Sequence, residues 1–232
     1  MMENRLLNDV SFSVYKQVFT EGIRAVLQVS PERSLDEAAF PAYAHPNRFI
    51  HSFYWTRLRA VMQAINNFGP LDAALDFGCG SGVMLPFLAH RASTVVGADL
   101  NLEPSQKIQE FIRFPDKIRF LNTAKGGLDD LKQGSFSLVT AMNVFEHMAN
   151  PRDLIDLLFN LLHPGGYLVV SLPKENKVYQ LARKLAGREF TGDYHETNYQ
   201  EIERICAEKG SLTSIISLPF DLVFRIFYIR KS

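Results

Sequence analysis

Cysteine is scarce in this 232-residue chain, which holds only Cys79 and Cys206. Two cannot build a disulfide framework, and neither has a metal-ligating partner nearby in sequence. A reducing compartment fits that usage, and no metal is expected. An excess of charge of one sign is missing too, because 25 Lys and Arg balance 25 Asp and Glu. No polyanion-binding surface is suggested globally, and no nucleic-acid partner is expected. Long apolar runs are also absent. The opening MMENRLLNDVSFSVYKQVF has no uninterrupted apolar core of the signal-peptide kind. The most apolar stretch, Ile215 to Ile229, is broken by Pro219, Asp221 and Arg225. It falls short of the ~20 residues that span a bilayer. Neither internal repeats nor low-complexity tracts occur. These absences lead to the expectation of a soluble, cytoplasmic protein.

The composition that remains, 47% hydrophobic and 22% charged, is ordinary for a globular chain and excludes wholesale disorder. A chain of this length buries roughly 70% of its surface on folding, so its core needs no staples. At about 150 residues per domain it is one large domain, or one domain with an appendage. Residues 1–69 read as a helical cap. Ile50, Tyr54, Leu58, Val61 and Ile65 fall on one helical face, while Pro31, Pro41 and Pro46 make the stretch from Val29 to Pro46 irregular. From residue 70 to 232 short apolar runs alternate with amphipathic helices. The runs are Ala73–Phe77, Thr94–Ala98, Ile118–Leu121, Phe136–Met142 and Tyr167–Leu172. Helices are expected near Val83–His90, Pro104–Arg113, Arg152–Leu162 and Asn198–Lys209, and the tail reads as two final strands. Continuous apolar strands between helices indicate an α/β fold with a parallel sheet covered on both faces. Asn150-Pro151 marks one helix start, with Leu154, Leu157, Leu158 and Leu161 as its buried stripe. Thr197 with Gln200 matches a capping box for the last helix.

Chemistry concentrates in ALDFGCGSG, residues 74–82. A hydrophobic strand carries Asp76 and runs into Gly78, Cys79, Gly80 and Gly82, and a helix follows. Glycines there let the backbone turn sharply and approach a ligand closely. The second strand ends at Asp99, seventeen residues beyond Gly82. An acidic side chain about 20 residues after such a turn can accept hydrogen bonds from both ribose hydroxyls. The alternative role for Asp99 is capping the helix that begins near Pro104. The spacing G-x-G-x-G matches neither the dinucleotide form, which would place Val83 at its last position, nor a P-loop. The expected ligand contains adenosine and carries no pyrophosphate.

With ALDFGCGSG, VVGADLN, SFSLVTAMNVFEHMANP and LLHPGGYLVVSLP in that order, the chain from Leu71 to Arg230 resembles the class I S-adenosylmethionine-dependent methyltransferases. The resemblance implies a Rossmann-like, seven-stranded, mostly parallel sheet with a last antiparallel strand. It implies S-adenosyl-L-methionine as cofactor, with Gly78, Cys79, Gly80 and Gly82 cradling its methionine part. Asp76 would position the turn and the amino group, Asp99 would bind ribose and Leu100 would lie against adenine. Thr123 and Ala124 stand where the family often has an acidic residue beside the adenine amino group. Asn143, after the fourth strand, is placed with the cofactor residues. Phe136-Ser137 replaces the family's common Phe-Asp.

Methyl transfer from a sulfonium asks mainly for alignment, and a base only where the acceptor is protonated. His147, just after the fourth strand, and His195, in GDYHETNY, are the candidates for that base. His163 reads as a turn residue, and His90 as lying near a helix C-terminus. The insert 173–196 is expected to form a lid, and its Lys177, Arg183, Lys184 and Arg188 form either a solvated face or a site for an anionic acceptor. The aromatic run Tyr43, His45, Phe49, His51, Phe53, Tyr54 and Trp55 packs as a helix or faces the acceptor. The function expected is methyl transfer to a small molecule. Alternatives are a nicotinamide-dependent oxidoreductase and a non-catalytic protein of cofactor-binding fold.

Overall fold

The structure, a computed structural model, describes residues 11–30, 40–128, 130–174, 196–215 and 223–232. The chain divides into two compact units, 1–130 and 131–232.

In the first unit, helices α1 (Phe12–Val29), α2 (Phe40–Ala44) and α3 (Arg48–Asn66) precede an alternation of strand and helix. That alternation is β1 (Leu71–Phe77), α4 (Leu85–Arg91), β2 (Ala92–Asp99), α5 (Glu103–Gln109) and β3 (Ile118–Asn122). The three strands pair in parallel in the order β3-β2-β1. Burial follows helical spacing in α1, through Tyr15, Phe19, Ile23 and Val26. In α3 the buried stripe is Trp55, Leu58, Val61, Met62 and Ile65. Ile50 and Tyr54, expected on that stripe, are only half-buried. The Arg57 guanidinium lies 5.0 Å from the Tyr54 ring centroid.

The aromatic run is largely packing. Trp55 Nε1–H donates to the Tyr43 carbonyl at 3.0 Å, and the two rings meet edge-on at 5.2 Å. Both side chains are buried, whereas Phe49 is exposed. The α2 helix falls in the stretch expected to be irregular. Its Pro41 lies in the first turn, where a missing N–H leaves no bond unmade.

The second unit holds β4 (Phe136–Met142), α6 (Arg152–Leu161), β5 (Leu162–Pro173), α7 (Tyr199–Ala207), β6 (Leu212–Ser214) and β7 (Phe224–Arg230). The order is β4-β5-β7-β6, with β4 and β5 parallel and β7 antiparallel to both its neighbours. The molecule is thus α/β and Rossmann-like, with a seven-stranded sheet that is mostly parallel. Strand β5 begins five residues earlier than the apolar run implies. A register shift between Phe136 and Leu138 accommodates His163-Pro164-Gly165, with Gly165 at φ +85°. The buried side of α6 is Ile155, Leu158, Phe159 and Leu161, while Leu154 and Leu157 are half-buried. Asn198, not Thr197, caps α7: its side chain accepts from Glu201 N–H at 2.9 Å.

Each unit buries one free thiol, Cys79 in the first and Cys206 in the second. Burial pushes the Cys206 thiol up to about 12. Burial first, then the carboxylates of Asp76 and Asp99, hold Cys79 well above the ordinary thiol range.

Candidate functional site

Strand β1 ends in a turn that the glycines make possible. Gly78, Gly80 and Gly82 have φ of +73°, +49° and +73°, where a side chain is strained. The Gly78 and Cys79 N–H groups both donate to the Ala98 carbonyl in β2, at 2.8 and 3.1 Å. Gly82 N–H donates to the Cys79 carbonyl at 2.7 Å. A Cβ on Gly82 would stand 2.8 Å from Phe114 Cε2. Asp76 is buried at the head of this turn and Cys79 is buried within it.

Asp99 closes the turn from the end of β2. Its Oδ2 accepts from Gly80 N–H at 2.8 Å and its Oδ1 from Asn101 N–H at 3.0 Å. The helix-start role left open for Asp99 falls to Asn101, whose Oδ1 accepts from Glu103 N–H at 3.0 Å. A carboxylate has about four acceptor sites. Two are used by backbone amides, so one remains on each oxygen, the number that a pair of neighbouring hydroxyls requires.

Next to Asp99, Leu100 leaves 70% of its surface exposed, unusual for a large apolar side chain. At the end of β3, Thr123 and Ala124 lie in a 3-10 turn, Thr123–Lys125. Thr123 Oγ1 and Asn122 Oδ1 are both buried without a hydrogen-bond partner. Leaving such an atom unmet costs about 1–3 kcal/mol. Two acceptors in that state fit a ligand that brings a donor, such as an adenine amino group. Asn122 was missing from the sequence reading, where FLNTAKGG directed attention to Thr123 and Ala124. Only its burial reveals it. Ala124 is exposed and has no polar side chain.

The remaining candidates belong to the second unit. Asn143 follows β4 with φ +60°, and its N–H donates to the Ser171 carbonyl at 2.8 Å. A 3-10 turn, Phe145–His147, comes next. The His147 side chain is exposed, and its N–H donates to the Val144 carbonyl at 3.2 Å. The chain entering α7 docks here, with the Glu146 carbonyl accepting from Glu196 N–H at 2.8 Å. Thr197 Oγ1 donates to the Met148 carbonyl at 2.6 Å, which is its role in place of the expected cap. His163, expected in a turn, lies instead in β5, where it contacts Ser137 Oγ through Nε2 at 3.2 Å and the Pro164 carbonyl through Nδ1 at 2.6 Å. His90 sits in the last turn of α4. His195 lies outside the described residues, as do Lys177, Arg183, Lys184, Arg188 and nearly all of the insert 173–196. Among the described residues no three metal-ligating side chains come together, and no helix is long and apolar enough to cross a membrane.

The sequence profile of the family described as "Methyltransferase domain" matches residues 30–210. A ubiquinone biosynthesis O-methyltransferase from Psychrobacter arcticus is 34% identical over 172 residues, 68% of this chain and 66% of that protein. The chain spans about half to two thirds of the length of the curated relatives it matches. Among solved structures, a magnesium protoporphyrin IX methyltransferase from Synechocystis PCC 6803 with bound S-adenosylhomocysteine superposes with a TM-score of 0.59. It is 19% identical, over 90% of this chain and all of that one. The N-methyltransferase NodS from Bradyrhizobium japonicum WM9, also a complex with S-adenosylhomocysteine, gives 0.57 at 15% identity, over 90% of this chain and 98% of that one. These structures share the fold.

Proposed function

The chain belongs to the class I S-adenosylmethionine-dependent methyltransferases, and from that premise we propose that it methylates an oxygen of a small-molecule acceptor. The single observation that carries the cofactor part is Asp99, which binds the Gly80 amide and keeps one acceptor site on each oxygen. Asp99 would hold the ribose, the turn from Gly78 to Gly82 the methionine part, and Thr123 with Asn122 the adenine amino group. Asp76 would take the methionine amino group and Leu100 would cover adenine. When bound, the cofactor supplies a methyl group already activated on a positively charged sulfur.

The choice of oxygen follows from relatives named as O-methyltransferases of ubiquinone biosynthesis. A hydroxyl must lose its proton as it is methylated, and neutral imidazole accepts protons near neutral pH. We assign that role to His147, whose side chain is exposed after β4. Asn143, placed with the cofactor residues by the resemblance, is part of the same proposal. A cytoplasmic setting accords with two free cysteines. Neither the family match nor the relatives support a nicotinamide-dependent or non-catalytic role.

The test measures S-adenosylhomocysteine release from S-adenosylmethionine with hydroxylated intermediates of ubiquinone biosynthesis as acceptors. Acceptor-dependent release with a methyl ether as product is expected. Cofactor binding with transfer only to amines would overturn the oxygen assignment, and no binding of either cofactor form would overturn the cofactor assignment.

A further inference from the structure

Tyr15 lies on α1, 68 residues before Val83. Its hydroxyl donates to the Val83 carbonyl at 2.5 Å, and the Phe87 backbone N–H favours the charged form of the same phenol. In an unbroken helix the Phe87 amide would donate to Val83, four residues back. The phenol hydroxyl takes the Val83 carbonyl instead, and α4 begins only at Leu85. The Val83 carbonyl is thus satisfied by the phenol rather than by a helical amide.

The interrupted turn is the continuation of the glycine turn, since the Gly82 carbonyl accepts from Leu85 N–H at 3.0 Å. The hydroxyl is buried, with Tyr43 and Asp76 as electrostatic neighbours. A second contact reinforces the first. The Tyr15 ring lies 5.0 Å from that of Phe19, and Phe19 lies 6.1 Å from Phe114. Phe114 is the ring that a Cβ on Gly82 would strike. α1 therefore reaches the turn by a hydrogen bond at Val83 and by ring packing at Gly82.

We propose that Tyr15 is a positioning residue for the cofactor turn: its hydroxyl, bonded to the Val83 carbonyl, sets how residues 78–84 present their backbone to S-adenosylmethionine. The proposal rests on the cofactor reading above. It makes the N-terminal helix part of the cofactor machinery without contact to the cofactor. Loss of the hydroxyl lets Val83 and Phe87 pair directly, which draws the end of the turn into the helix.

Tyr15→Phe keeps the ring and removes only the hydroxyl. Calorimetry should find S-adenosylhomocysteine binding weakened about three- to tenfold, the scale of one hydrogen bond. KM for S-adenosylmethionine should rise while kcat at saturation holds. In the ligand-free protein, amide resonances of residues 78–87 should move. Val26→Ala, equally buried on α1, should lower Tm and leave both the affinity and those resonances unchanged. The proposal is overturned if Tyr15→Phe binds like the parent protein or its turn resonances stay in place. It is also overturned if Val26→Ala weakens binding as much. Failure of the parent protein to bind S-adenosylhomocysteine would instead overturn the cofactor reading.

Discussion

At the scale of the residue, Asp99 and His147 carry the most direct tests. Asp99→Ala removes the acceptor of the Gly80 amide and the proposed ribose contact together. Hydrogen bonds to charged groups contribute about 1.5–3 kcal/mol, so S-adenosylhomocysteine binding should weaken by that amount in calorimetry. Unchanged affinity in a folded variant would place the ribose elsewhere. His147→Ala should lower turnover by about 10²–10⁴, the worth of a general base, with S-adenosylhomocysteine affinity nearly intact. Turnover close to that of the parent protein would take the base role from His147, and the same result for His195→Ala would leave alignment as the whole of catalysis. The turn and the acid beside it were readable from sequence. Glycine at a positive φ is a backbone requirement that a G-x-G-x-G string displays, and Asp99 closes that turn through the Gly80 amide. Asn122 and Tyr15 were not readable. The first depends on whether an amide oxygen is buried, and the second on a partner 68 residues away.

At the scale of the element, starts and stops were harder to read than the elements themselves. Strand β4 was readable to the residue, because a mostly apolar run of seven follows directly on Gly134-Ser135. The start of α4 was misplaced at Val83, since the Tyr15 hydroxyl occupies the carbonyl that would begin the helix. The α7 cap was misplaced by one residue for a related reason. Thr197 has the right chemistry for an N-cap, but its hydroxyl is engaged by the Met148 carbonyl, and Asn198 takes the position instead. These two neighbours can be separated by experiment. Asn198→Ala should cost about 1 kcal/mol, the usual worth of a cap, and should fray α7 in amide exchange. Thr197→Val should leave the helix start protected and expose instead the amides of residues 145–149. If Thr197→Val frays α7 as Asn198→Ala does, the two side chains share the capping role.

At the scale of the whole molecule, the buried thiols make stability depend on alkaline pH. The folded pKa of each is raised, so its contribution is complete below the ordinary thiol pKa of about 8.5. It is lost as pH rises from there, through about 12 for Cys206, because the unfolded chain gives up the proton first. Urea midpoints should therefore fall with pH above about 9, and Cys206→Ala should flatten part of that decline. The same thiols offer something further. They are protonated and enclosed at neutral pH, so an alkylating reagent can reach either one only after the protein opens locally. One thiol sits in each compact unit, so labelling followed by peptide mass analysis times the two openings separately within a single sample. A ligand present at a hundred times its Kd lowers the ligand-free population about a hundredfold. If Cys79 becomes reachable only when its turn is empty, S-adenosylhomocysteine at that concentration should slow its labelling by a similar factor. Cys79 then becomes a built-in clock for occupancy of the cofactor turn, readable without knowing what the enzyme methylates.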